Sequence, residues 1–202
     1  VARLAWLGYV DSGMTGWEQN EHDGAFTAAP VDEAGARLAA ILDEEDADVV
    51  VGYDWHGGYG HPDHIAVHRT VRRAAELAAR APRLLESTMN RDVMRGFRDA
   101  MKAAGMGEDE LFDPDAPMDD GNPLGTPQDE ITWQVDVSAY LPQRRAALEA
   151  HRSQVTDVGM MLSMPPEAFA AFFGTEHYIE PSSSEPMRPG WPFGQDASVP
   201  VG

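Results

Sequence analysis

The first regular hydrophobic pattern in the chain follows Pro30. Ala34, Leu38, Ile41 and Leu42 recur at helical spacing and Asp32 offers an N-cap, which predicts a helix to about Asp46. Val49-Val50-Val51-Gly52-Tyr53 comes next. This β-branched run lacks alternation and predicts a strand buried on both faces, as in a parallel sheet. A polar loop then leads to Pro62, which suits the first turn of a helix. Ile65, Val67, Val71, Ala74, Ala75 and Leu77 carry that helix to about Arg80. Further along, a helix is predicted over Arg91 to Ala104 and an alternating strand over 131–137. Ser138 is a candidate cap for a helix through His151, followed by a short helix over Pro165 to Phe173 and a strand at 175–180. Residues 1–31 are broken by Gly8, Gly13, Gly16, Gly24 and Pro30 and keep no period. The order helix, buried strand, Gly-rich loop, helix predicts an α/β fold. We expect a Rossmann-like, mostly parallel sheet flanked by helices, with ligands gathered at the carboxyl ends of strands.

Composition narrows the picture. The 202 residues are 43% hydrophobic and 24% charged, a globular balance suited to one domain with a tail. Residues 1–180 are expected to form the domain and 181–202, rich in Pro, Ser and Gly, a loosely packed tail. The acidic, Pro- and Gly-rich stretch 107–129 reads as a solvated surface loop. With 34 acids against 15 bases the formal charge is −19, which disfavours nucleic acid and anionic membranes as partners. No apolar run approaches the ~20 residues that span a bilayer. There is no cysteine, so disulfides, thiolate metal sites and a cysteine nucleophile are excluded together, and a reducing cytoplasm suits the chain. Any metal must be held by histidine and carboxylate.

The densest chemistry is Gly57-Gly58-Tyr59-Gly60-His61-Pro62-Asp63-His64, after the predicted strand. Two histidines bracket a proline that fixes the backbone, and Asp63 lies between them, able to accept an imidazole N–H. His64 falls inside the following helix, where its ring can be held as a metal ligand. His64 and His68 share a helical face, but Ile65 stands where a two-histidine zinc helix carries glutamate, so His68 reads as a packed residue. His56 could be a loop ligand, but an exposed loop residue is the reading preferred for it. Trp55 could wall a pocket or serve loop packing.

Tyr53 through His64 resembles the second motif of the PIG-L/LmbE-type zinc de-N-acetylases, which remove acetyl groups from N-acetylglucosamine conjugates or cleave related amides. Val10-Asp11-Ser12-Gly13-Met14 resembles a segment of the mycothiol-pathway branch. Val135-Asp136-Val137-Ser138, the stretch Arg145 to Gln154 with its His-x-Ser-Gln ending, and Glu176-His177-Tyr178 resemble the family's late strand, helix and last strand. The likeness spans most of residues 9–180. The family's N-terminal His-Pro-Asp-Asp motif, which supplies two of three protein zinc ligands and the general base, has no counterpart. The match starts inside the family fold, so the domain is expected to be N-terminally truncated relative to it.

The resemblance implies a zinc-activated water attacking an acetamide. Tyr59 would stabilise the oxyanion, and His61 would protonate the departing amine. Asp63 would hold His61 in its tautomer, and His64 would be the third zinc ligand. Asp11 would bind sugar hydroxyls, although a turn role fits it equally. His151 and Gln154 would lie near the site, but a histidine ending a helix also complements its dipole; His177 could approach from the last strand. One imidazole does not hold catalytic zinc tightly. The expectation is thus a small amino-sugar conjugate as partner, with zinc weak or absent and no turnover in this chain alone. The alternative is a non-catalytic carbohydrate-binding relative with a pocket around Asp11, Trp55 and Tyr59. Sequence leaves the native metal, the aglycone and the oligomeric state open.

Overall fold

The computed structural model describes residues 2–194 apart from 152 and 154. Its regular elements are α1 (Val31–Glu44), β1 (Val49–Tyr53), α2 (Pro62–Leu77), β2 (Arg83–Thr88), α3 (Arg91–Ala103), β3 (Trp133–Asp136), α4 (Leu141–Ala150), α5 (Val155–Leu162), α6 (Pro166–Phe173), β4 (Thr175–Ile179) and β5 (Arg188–Pro189). The strands form one sheet in the order β1-β2-β4-β3-β5. β1 pairs with β2 and β3 with β5 in parallel, whereas β4 runs antiparallel to both β2 and β3. The α/β class holds, and the sheet is mixed. No helix among the described residues is long and apolar enough to cross a membrane.

Two small cores flank the sheet. On one face Ala39 and Leu42 of α1 and Val71 and Ala74 of α2 enclose Val50. On the other, Leu85, Val135 and Tyr178 pack with Trp133 and Phe193. β1 departs from the expected burial on both faces. Val50 is buried, but Val51 is 45% exposed and Tyr53 faces outward with it. The reason is position: among the described residues β1 pairs only with β2, so it is an edge strand covered on one face.

Local chemistry also moves several boundaries. Asp32 does not cap α1. Pro30 holds that position, and Asp32 lies in the first turn paired with Arg73 of α2. Ser138 does not cap α4 either. A 3-10 turn over Ser138–Tyr140 intervenes, and the Asp136 carboxylate accepts the Ser138 N–H. β2 escaped the hydrophobic pattern because Arg83 and Glu86 interrupt it. Glu86 is matched by Arg72, and Arg83 meets Glu180 through two bonds of 2.6 Å, with Trp133 Nε1 donating to the same carboxylate. Such bidentate, charge-assisted contacts make polar strand positions tolerable. The segment after Pro181 is not loosely packed throughout: β5 joins the sheet and Pro192 is fully buried.

Candidate active site

The loop joining β1 to α2 lies at the carboxyl end of the sheet, and Asp54 organises it. This carboxylate is fully buried; Oδ1 accepts the Gly58 N–H at 2.7 Å and Oδ2 the Thr88 hydroxyl at 2.6 Å. Gly57 has φ +68°, and a Cβ there would stand 2.3 Å from His64 Cβ, so only glycine lets the first turns of α2 rest on the loop. A Cβ on Gly60, at φ +89°, would meet the Asp120 backbone nitrogen at 2.6 Å.

The two histidines of the motif come together with opposite polarity. His64 Nδ1 lies 3.1 Å from the Gly57 carbonyl, which can only accept, so Nδ1 carries the proton and Nε2 keeps its lone pair. Burial pushes the His64 pKa below the usual histidine range, and the neighbouring His61 adds to that; the neutral ring is therefore the form held at pH 7. His61 is the N-cap of α2 and its Nδ1 accepts the Asp63 N–H at 3.1 Å, so in the neutral ring Nε2 carries the proton. The rings stack at 4.7 Å. Tyr53 stacks on the other face of His64 at 4.1 Å, and Tyr59 stands edge-on to it at 5.2 Å.

The expected carboxylate contact from Asp63 to His61 is not made. Asp63 holds that ring through its backbone N–H, while its Oδ2 accepts the Ser12 N–H at 3.0 Å. Asp63 Oδ1 is buried without a hydrogen-bond partner among the described residues. Ser12 is itself fully buried and fastened to Thr27. Asp11 therefore sits one residue from the loop contact. It is exposed, and its Oδ1 accepts the Gly13 N–H at 2.7 Å, as a turn residue does.

Several residues were misjudged or missed. His56 is not an exposed loop residue; it is 1% exposed, with Nε2 3.2 Å from the Gly125 carbonyl and Nδ1 3.4 Å from Asp120 Oδ2. The acidic stretch is correspondingly more than a solvated loop. Gly125 N–H donates to the Gly58 carbonyl at 2.7 Å, Thr126 N–H to that of Met89, and Arg91 reaches the Leu124 and Gly125 carbonyls. Its distal half thus forms a wall of the site. The adjacent Gly58 and Gly60 could have signalled that something packs closely there. His68 is a packed residue as expected, bonded to the Tyr53 carbonyl and facing Glu86. His151 bonds the Ala147 carbonyl at the end of α4, and Gln154 lies outside the described residues. His177 is buried on β4. Trp55 is half exposed and tilts against His56. Among the described residues no three His, Asp or Glu side chains converge where a metal ion could sit.

This geometry places the chain among α/β proteins whose polar site lies at the carboxyl end of the sheet. The model of the PIG-L family, described as GlcNAc-PI de-N-acetylase, matches residues 1–75. A Saccharomonospora viridis 1D-myo-inositol 2-acetamido-2-deoxy-alpha-D-glucopyranoside deacetylase is 42% identical over 147 residues, covering 72% of this chain and 52% of its own. Proteins of the same description from Thermobifida fusca and Geodermatophilus obscurus are 35% and 33% identical, covering 89% and 99% of this chain and 64% and 72% of theirs. The chain belongs to the PIG-L family. It spans 52% and 64% of the length of the first two of these relatives.

Proposed function

We propose that this chain carries part of the active site of a cytoplasmic amide hydrolase, one that removes the acetyl group from an N-acetylglucosamine-containing conjugate. The observation that carries this reading is the opposite hydrogen-bond polarity of the stacked His61 and His64 rings. His64 presents a lone pair at Nε2, as a metal ligand must. His61 presents an N–H at Nε2, as a group hydrogen-bonding a carbonyl or a departing nitrogen must. Tyr59 stands beside both rings and is assigned to the oxyanion.

To act as an acid, His61 must carry protons on both nitrogens. The Asp63 N–H must then release Nδ1, and the unpartnered Asp63 Oδ1 is the acceptor this chain offers to the imidazolium. Asp11, presented beside this loop by the Ser12–Asp63 contact, is assigned to sugar hydroxyls.

The zinc implied by the family resemblance would polarise the amide and activate water when bound. The described residues fit it only in part: His64 is one ligand, whereas a catalytic site takes three. We therefore assign the remaining ligands to sequence outside this chain, and weak zinc binding without turnover to the chain by itself.

The test is acetate release from 1D-myo-inositol 2-acetamido-2-deoxy-alpha-D-glucopyranoside with zinc present. This chain is compared with a chimera that adds the part of the Saccharomonospora viridis relative that the match leaves uncovered. We expect no turnover from the chain, turnover from the chimera, and a loss of roughly 100-fold or more in the chimera on His61→Ala. Turnover by the chain alone would contradict the incomplete site. A folded, zinc-loaded chimera without turnover would contradict the hydrolase reading and favour a carbohydrate-binding role.

A further inference from the structure

The α3 helix is amphipathic, with Val93, Met94, Phe97 and Met101 toward one side, yet none of its residues is buried. Between α3, α6 and the strands β2 and β4 lies a cavity of about 440 Å³. That size falls within the ~300–1,000 Å³ typical of small-molecule sites. Its lining contains neither His61, His64 nor Tyr59.

One wall is polar. His177, 8% exposed, lies on β4 between Thr88 of β2 and Gln134 of β3, with which it shares a sheet face. Neither its ring nitrogens nor the Gln134 amide has a hydrogen-bond partner among the described residues. Burial holds the His177 pKa below the usual range, so the ring is neutral at pH 7 and offers one donor and one acceptor. The charges nearby are closed: Arg144 is paired with Glu176, which also accepts the Tyr178 hydroxyl. The other wall is apolar, with Met94 beside Phe97 and Phe172, whose rings lie 6.1 Å apart.

These walls select a ligand. An ion would lose its hydration and meet no free counter-charge. A hydrocarbon would leave the imidazole and the amide unpaired. A neutral ring with hydroxyls on its edge and C–H groups on its face satisfies both walls. We propose that this cavity binds an uncharged polyhydroxylated ring, a sugar or a cyclitol, with its hydroxyls on His177 and Gln134 and its C–H face against Phe97 and Phe172. The site is separate from the His61–His64 loop, and the proposal stands whether or not the hydrolase reading does.

The test is an NMR titration of the full chain with glucose, myo-inositol and glucose 6-phosphate, following the His177 imidazole resonance together with the backbone amides of Gln134 and Phe172, which also report on the variants. The expected result is a shift with one or both neutral rings, at about millimolar affinity, and none with the phosphate. Whichever ring shifts it identifies the source. His177→Phe should weaken binding by roughly tenfold or more, and Met94→Trp, which fills the cavity from α3, should do the same should the first variant fail to fold. His64→Ala should leave the affinity unchanged. No shift with either ring, a stronger response to the phosphate, or binding lost in His64→Ala but kept in Met94→Trp would overturn the proposal.

Discussion

The loop after β1 and the segment before α1 are built in opposite ways. The loop is fastened from every side: Asp54 takes the Gly58 N–H, Gly125 gives its N–H to the Gly58 carbonyl, Gly57 takes the His64 proton, and Asp63 reaches to Ser12. The segment over residues 2–9 is held mainly by surface contacts. Arg3 pairs with Glu44 and Glu45, and Arg37 reaches the Leu7 carbonyl and lies over Tyr9. Trp6 remains 84% exposed, and the outer face of β1 shows Val51 and Tyr53. Exposed ion pairs contribute about 0–1 kcal/mol each, whereas a buried polar network is expensive to break. The contrast teaches that a network of buried polar contacts fixes the two imidazoles, while the outer side of the adjoining strand stays partly exposed among the described residues.

That contrast predicts a ranking. Asp54→Ala should have the largest effect, leaving the Gly58 N–H and the Thr88 hydroxyl unpaired; urea unfolding should show a loss of about 3 kcal/mol. Gly57→Ala should follow, at roughly 2–3 kcal/mol, because it combines positive φ with a clash against His64. Gly16→Ala is the matched control from the early segment: φ is +81° but nothing lies within 4 Å of its Cβ, so about 1 kcal/mol is expected. Equal losses at the two glycines would break the comparison.

Smaller is the pH dependence. Burial depresses both His64 and His177, so below about pH 6.5 the unfolded chain binds more protons than the folded one. The sign follows: stability is full above that pH and falls as acid is added. Urea midpoints measured from about pH 7.5 to 5.5 should decline, and less steeply in His177→Phe, with His64 accounting for part of the remainder. The smallest effect belongs to Trp6→Ser, within about 0.5 kcal/mol by the same measurement.

Much of this arrangement was legible in the sequence. The Val49–Tyr53 run, Pro62 at the start of α2 and the helix over Arg91–Ala103 follow from propensity and turn chemistry. The His61–His64 loop follows from its residue types alone. What was not legible depends on contacts distant in sequence. Arg83 and Glu86 disguise β2 because their partners, Glu180 and Arg72, come from other elements. His56 looks solvent-facing until Gly125 and Asp120 arrive from about seventy residues away. The Asp63 carboxylate, expected on His61, is drawn instead to a backbone N–H at Ser12, a choice that side-chain identity does not encode.

The central claim is that His61 and His64 hold opposite tautomers side by side. Long-range proton–nitrogen correlation spectra of the chain near pH 7.5 read this directly. The account predicts the proton on Nδ1 of His64 and on Nε2 of His61, with the His64 pattern lost in His64→Ala. Spectra showing both rings in the same tautomer, or the two assignments reversed, would contradict it.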